Sequence, residues 1–181
     1  MNESCWKGYK QVGMKKKGNR TVPNCVKKNK FSFAEWLNEN KGQTYYHGSD
    51  KELPVGTVLT GRQDEYESAW GHQDWYKILE AHRPPHMLSH KESVFMCDNP
   101  DDLDAAGGGT EYMFELQPIG RVEKHDMNWA SEISMLVEDP VENEEKIIEA
   151  ANNYWNGIPH VNESLWEYLT PSAKILKVEP Y

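Results

Sequence analysis

Along the chain, short apolar runs alternate with stretches of helical spacing, and the two rhythms divide the sequence into elements. "QTYYHGS" reads as a strand broken at Gly48, and "LPVGTVLTG" as a turn followed by a short strand. From Gln63 to about His82, the positions Tyr66, Ala69, Trp70, Tyr76, Ile78 and Leu79 predict an interrupted amphipathic helix, halted by Pro84-Pro85. "SVFMC" is a strand, and "DNPDDLDAA" opens a short helix at an Asp/Asn–Pro boundary. Gly107-Gly108-Gly109 forms a turn leading into "EYMFELQPIGRVEKHD", two short strands around Pro118. "DPVENEEKIIEAANNYW" is a helix, with acids in its first turn and Ile147, Ile148, Ala151, Tyr154 and Trp155 on one face. "LWEYL" and "AKILKVE" are strands separated by Thr170-Pro171-Ser172, and upstream "FSFAEWLNENKG" carries a capping box, Ser32 with Glu35, for a helix ending near Gly42. Many short strands with few helices predict a compact α+β domain.

Composition adds that this pattern belongs to a folded chain. Among 181 residues are seven Trp, nine Tyr and four Phe, despite a net charge of -9. No apolar run is long enough to span a membrane, so no membrane partner is expected and the default compartment is cytoplasmic. The charge is unevenly placed: residues 1–30 carry nine Lys/Arg against one Glu, and the remainder eleven against 28 acids. A basic arm on an acidic body suits phosphate contact, with DNA the obvious partner, or equally a solubilising tail or one docked on its own acidic body. The three cysteines form no framework. Cys5 and Cys25 lack a CxxC and a nearby His, so no metal site is expected; Cys97 reads as a small buried residue.

Three stretches stand out as candidate chemistry. In Tyr45-Tyr46-His47-Gly48-Ser49, an imidazole that can bond a sugar hydroxyl precedes a glycine whose missing Cβ would let backbone approach a planar ligand. The bland alternative is a structural histidine on a strand end. In Ser93-Val94-Phe95-Met96-Cys97, Phe95 at a strand terminus suits stacking on a flat ring, or a place in the core. In Trp166-Glu167-Tyr168-Leu169, a carboxylate interrupts an apolar strand. It either needs a partner or a task, or points to water while Trp166 and Tyr168 face the core.

The order "YYHGS", "SVFMCDNPDDLDAA", "YMFELQPIGRVE" and "WEYLTPSAKILKVE" resembles the ADP-ribosyltransferase fold, and within it the small rifamycin-modifying enzymes, from about Thr44 to Pro180. The resemblance implies an ADP-ribosyltransferase-like split β-sheet core with a few peripheral helices over residues 31–181, preceded by the basic N-terminal arm of residues 1–30. It implies NAD as co-substrate, held by Tyr46, His47, Gly48, Ser49 and Phe95. His47 would bond the ribose next to nicotinamide, Gly48 would hold the carboxamide through its backbone, and Glu167 falls on the catalytic carboxylate. The family has Tyr where this chain has Phe95. Asp126, after the strand–Pro–x–Gly segment, is the second candidate acid. The reaction builds positive charge on the ribose as in glycoside cleavage, which a fixed carboxylate stabilises, and it requires no metal.

The arm "CWKGYKQVGMKKKGNRTVPNCVKK" resembles a short module at an end of proteins encoded by tailed bacteriophages. That implies a phage protein acting in the host cytoplasm on an unidentified acceptor, with a host protein as the candidate, with DNA or capsid contact through residues 1–30 and packaging in the virion. Two readings stand beside it: a non-catalytic virion or DNA-associated protein retaining a degraded site, and an RNA 2'-phosphotransferase relative. The second needs several arginines, and the body offers Arg62, Arg83 and Arg121.

Overall fold

The computed structural model describes residues 9–18, 20–27, 43–105 and 109–181. The capping box at Ser32 and Glu35, Cys5, Gly107 and Gly108, and the expected boundary after residue 30 lie outside them. The chain divides into two compact units, Met1–Gln43 and Thr44–Tyr181. In the first, β1 (Tyr9–Lys17) and β2 (Arg20–Lys27) pair antiparallel, Lys17 opposite Arg20, so the basic arm carries a hairpin. Lys16, Lys17 and Arg20 are exposed at its turn.

The second unit is α+β, with all strand pairing antiparallel. Its strands are β3 (Tyr45–Ser49), β4 (Val58–Thr60), β5 (Val94–Met96), β6 (Tyr112–Ile119), β7 (Glu123–Asp126), β8 (Trp166–Thr170) and β9 (Ser172–Pro180). A four-stranded sheet has the order β3-β6-β9-β4, and a three-stranded sheet the order β5-β8-β7. The sheets meet where Tyr46 and Cys97 exchange both backbone hydrogen bonds, at 2.9 and 3.0 Å. One apolar cluster spans this seam, with Tyr45, Phe114, Leu116, Ala173 and Ile175 meeting Val94, Met96 and Tyr168. The alternation of β6 and β9 supplies it, since one face of each strand is apolar.

Four helices complete the unit: α1 (Gln63–Trp70), α2 (Asp74–His82), α3 (Met127–Leu136) and α4 (Glu144–Trp155). Helices α2 to α4 enclose a second cluster around Leu79, Trp129, Ile133, Ile147, Tyr154 and Trp155. Its tryptophans are satisfied as well as buried: Trp155 Nε1–H donates to the Leu79 carbonyl and Trp129 Nε1–H to that of Ile158, both at 2.7 Å. Of the expected apolar stripes, Tyr76 and Leu79 on α2 and Ile147, Ala151, Tyr154 and Trp155 on α4 are buried, whereas Ala69 and Trp70 on α1 and Ile148 on α4 are exposed.

Three elements depart from the pattern. Helix α3 was not expected; it starts because Asp126 caps it, accepting from the Asn128 N–H. Strand β6 runs through Pro118 and ends at Gly120, whose φ of +103° suits glycine. Pro118 is tolerated because β3 pairs only with Tyr112–Leu116, leaving β6 an edge beyond that point. Pro100–Ala105 forms a 3₁₀ turn kinked at Asp102. Among the described residues, no helix is long and apolar enough to cross a membrane.

Candidate active site

Where the two sheets meet, a cavity of about 580 Å³ opens between β3, β4, α1, β5 and β8. His47 and Ser49 from β3, Phe95 from β5 and Glu167 from β8 all line it. Side chains separated by more than a hundred positions thus share one wall, because β3 meets the end of β5 at the Tyr46–Cys97 bridge and β5 pairs with β8.

His47 is fixed by that seam. Its Nδ1 lies 2.8 Å from the Phe95 carbonyl oxygen, a contact only an N–H can make, so Nε2 of the neutral ring keeps a lone pair. Burial lowers the imidazole pKa; the bond to Phe95 opposes this, and nearby Arg62 adds to it. The ring is a neutral hydrogen-bond acceptor for a hydroxyl.

Glu167 does not point to water. Strand β8 is the middle strand of its sheet, Tyr168 and Leu169 beside it are buried too, and Glu167 is 1% exposed. Its Oε1 accepts a 2.5 Å hydrogen bond from the Tyr154 hydroxyl, while Oε2 is buried with no hydrogen-bond partner. Burial pushes this carboxyl pKa up, opposed by His90, the Tyr154 bond and His125, and Asp126 adds to the rise. An unpaired buried carboxylate oxygen costs on the order of 1–3 kcal/mol or more.

Strand alternation separates the other candidates. Tyr46 and Gly48 lie on the face of β3 opposite His47 and Ser49, with Tyr46 packed on Cys97 and Leu103. The missing Cβ of Gly48 is used by the chain itself: a Cβ there would overlap the Gly109 carbonyl oxygen. The expected ligand approach at Gly48 is thus occupied by backbone, and neither Gly48 nor Tyr46 lines the cavity. Asp126 is fully buried away from it. Its carboxylate accepts from the backbone N–H of Asn128, Leu165 and His160, at 3.1, 3.1 and 2.8 Å, which ties α3 to the loop before β8.

Helix α1 contributes side chains that had been assigned only to a helix core. Tyr66 lies flat on Phe95, ring centres 5.3 Å apart at 7°, and on His90, 6.1 Å apart at 9°. Trp70 lines the same wall. Burial, with Glu167 next in effect, raises the Tyr66 phenol pKa. Arg62 and Glu65, ion-paired at 2.8 Å and largely exposed, border the cavity. Arg83 is paired with Glu80 and Arg121 with Glu123, so of the three body arginines only Arg62 reaches the cavity. Cys97 is fully buried, and burial raises its thiol pKa to about 12, which suits a packing role.

No family model matches the chain, and neither does any curated protein.

Proposed function

We propose that the unit Thr44–Tyr181 is an ADP-ribosyltransferase-like domain that transfers ADP-ribose from NAD to an acceptor and releases nicotinamide. The observation that carries this reading is the buried Glu167, which keeps one unpartnered carboxylate oxygen and lines a cavity shared with His47 and Phe95. A volume of about 580 Å³ lies within the range of cofactor and small-molecule sites, about 300–1,000 Å³. The two antiparallel sheets are compatible with the split core that the sequence resemblance implies.

NAD would supply a ribose whose bond to nicotinamide breaks as positive charge builds on the sugar. Glu167 Oε2 would face that charge, in a site where water does not compete. The same oxygen would take the proton of the attacking acceptor. His47 Nε2 would accept from a ribose hydroxyl, orienting the sugar without adding a repelling charge. The stacked Phe95–Tyr66 pair would pack as a unit against the flat nicotinamide ring, Tyr66 supplying the phenol that Phe95 lacks. Arg62 is the cation available to the pyrophosphate.

The test is nicotinamide release and transfer of labelled ADP-ribose to host lysate by wild type and Glu167→Gln. Release by wild type that is lost in the variant supports the reading; no release by folded wild type overturns it. That second outcome supports a non-catalytic relative, a reading favoured by Tyr66 already covering the Phe95 ring.

The hairpin supports a separate contribution, contact with nucleic-acid phosphate in a phage setting, through Lys16, Lys17 and Arg20.

A further inference from the structure

Behind the cavity wall, four side chains from four elements form one unbroken line of hydrogen bonds. Glu167 on β8 meets Tyr154 on α4 at 2.5 Å, and the Tyr154 hydroxyl meets His90 Nε2 at 2.6 Å. His90, in the turn before β5, meets Glu80 Oε1 through Nδ1 at 2.6 Å, and its backbone N–H donates to the same oxygen at 3.1 Å. Glu80 on α2 ends the line in a 2.9 Å ion pair with Arg83. Glu167 and His90 are each 1% exposed and Tyr154 is fully buried; the side chains of Glu80 and Arg83 are 19% and 26% exposed. The line therefore runs from a buried carboxylate among the cavity's lining residues to one that touches solvent.

We propose that Tyr154, His90 and Glu80 are positioning residues that form a proton-sharing relay, fixing the Glu167 carboxyl and keeping its unpartnered oxygen anionic during turnover. This rests on the assignment of Glu167 as the working carboxylate. A single tyrosine proton lies between two neighbours, so two arrangements satisfy every contact. In one, Tyr154 donates to Glu167 and accepts from His90 Nε2–H, while Nδ1–H donates to Glu80. In the other, the His90 Nε2 proton has moved to Tyr154 and the Tyr154 proton to Glu167 Oε1. The two differ by two short proton steps, with no other bond changed and no proton gained or lost. In the first, Glu167 is an anion and His90 a cation held against Glu80; in the second, both Glu167 and His90 are neutral.

The surroundings bias this balance. Bonds from His90 and Arg83, outweighing the burial that would raise it, hold the Glu80 carboxyl down at about 2, so that end of the line stays anionic. From β7, His125 opposes Glu167 in register and stacks on Tyr154 at 4.7 Å, with Glu123 beside it; Asp126 acts against the anion. From α1, Tyr66 stacks on His90. Glu167 Oε2 and His125 Nε2 are both buried without a hydrogen-bond partner, the latter 3.8 Å from Glu123 Oε2.

The experiment titrates the Glu167 carboxyl by NMR in full-length protein carrying ¹³C at glutamate Cδ, with Glu167→Gln assigning the signal. Tyr154→Phe, which keeps the ring, and Glu80→Gln, at the partly exposed end, are compared with wild type, alongside the pH profile of nicotinamide release. Both variants are expected to raise the Glu167 midpoint by about one pH unit or more. The acid limb of kcat/KM should move with it while KM for NAD changes less than about twofold. A Glu167 midpoint unmoved in both variants overturns the relay, even where activity is intact. A midpoint moved by Tyr154→Phe but not by Glu80→Gln overturns it as a four-member line. Midpoints moved in both, with no nicotinamide release by any protein, keep the relay and refute the transferase reading.

Discussion

Strands β7 and β8 lie side by side, and each buries a carboxylate, Asp126 on one and Glu167 on the other. Both Asp126 oxygens are bonded to backbone: the N–H groups of Asn128 at the helix start and Leu165 donate to Oδ1, and that of His160, in the same loop as Leu165, donates to Oδ2. Glu167 is half-satisfied, one oxygen on Tyr154 and the other without a hydrogen-bond partner, in a residue that lines the cavity. Burial alone would make both look like candidate acids. The hydrogen-bond inventory separates them, because both oxygens of Asp126 are engaged in tying a helix start to the loop before β8, outside the cavity lining. Glu167 holds little together and keeps one free.

The largest effect that would break this contrast is in activity. Glu167→Gln should lower nicotinamide release about 10²–10⁴-fold while leaving the melting temperature unchanged or higher, since a neutral amide is cheaper to bury. Asp126→Ala should do the reverse. Three backbone donors lose their acceptor, so urea denaturation should show a loss of about 3 kcal/mol, with release per folded molecule within a few-fold of wild type. If Asp126 were the acid, these outcomes would exchange places.

A smaller effect sharpens the same comparison on β3, where Gly48 and Ser49 face opposite ways. Gly48→Ala should cost about 1–3 kcal/mol through overlap with the Gly109 carbonyl, whereas Ser49→Ala, at the cavity, should change stability little and affinity for NAD more. Thermal melts beside binding isotherms separate the two.

Stability against pH gives a further check. Burial raises the Glu167 pKa, so the folded protein holds that proton to higher pH than the unfolded chain, whose glutamates titrate near about 4.3. Its cost to stability is therefore absent below that value and grows as pH rises toward the folded pKa. The stability difference between Glu167→Gln and wild type should be near zero in acid and favour the variant at neutral pH. The smallest effect concerns the hairpin: Lys16→Ala with Lys17→Ala should reduce the salt slope of DNA retention by roughly one per lost contact, with no change in nicotinamide release.

Much of this was legible from patterning. Strand β3, the interrupted helix before Pro84, and β8 and β9 around Pro171 follow apolar periodicity and breakers that act locally. His47, Phe95 and Glu167 could be singled out because each sits oddly in a strand. What periodicity does not encode is which strands become neighbours. Tyr154 read as one more apolar position on α4, and its phenol was the one signal that a buried partner was needed. His90 sits in a turn and carried no pattern at all. Gly48 shows the converse, for its missing Cβ was visible while the Gly109 carbonyl that fills the space was not.

The most direct test of the central claim is a crystal structure of wild type with a non-hydrolysable NAD analogue. The account predicts the nicotinamide ribose at the cavity wall, its anomeric carbon about 3–3.5 Å from Glu167 Oε2 and a hydroxyl on His47 Nε2. An analogue bound elsewhere, or one whose ribose lies away from Glu167, would contradict it.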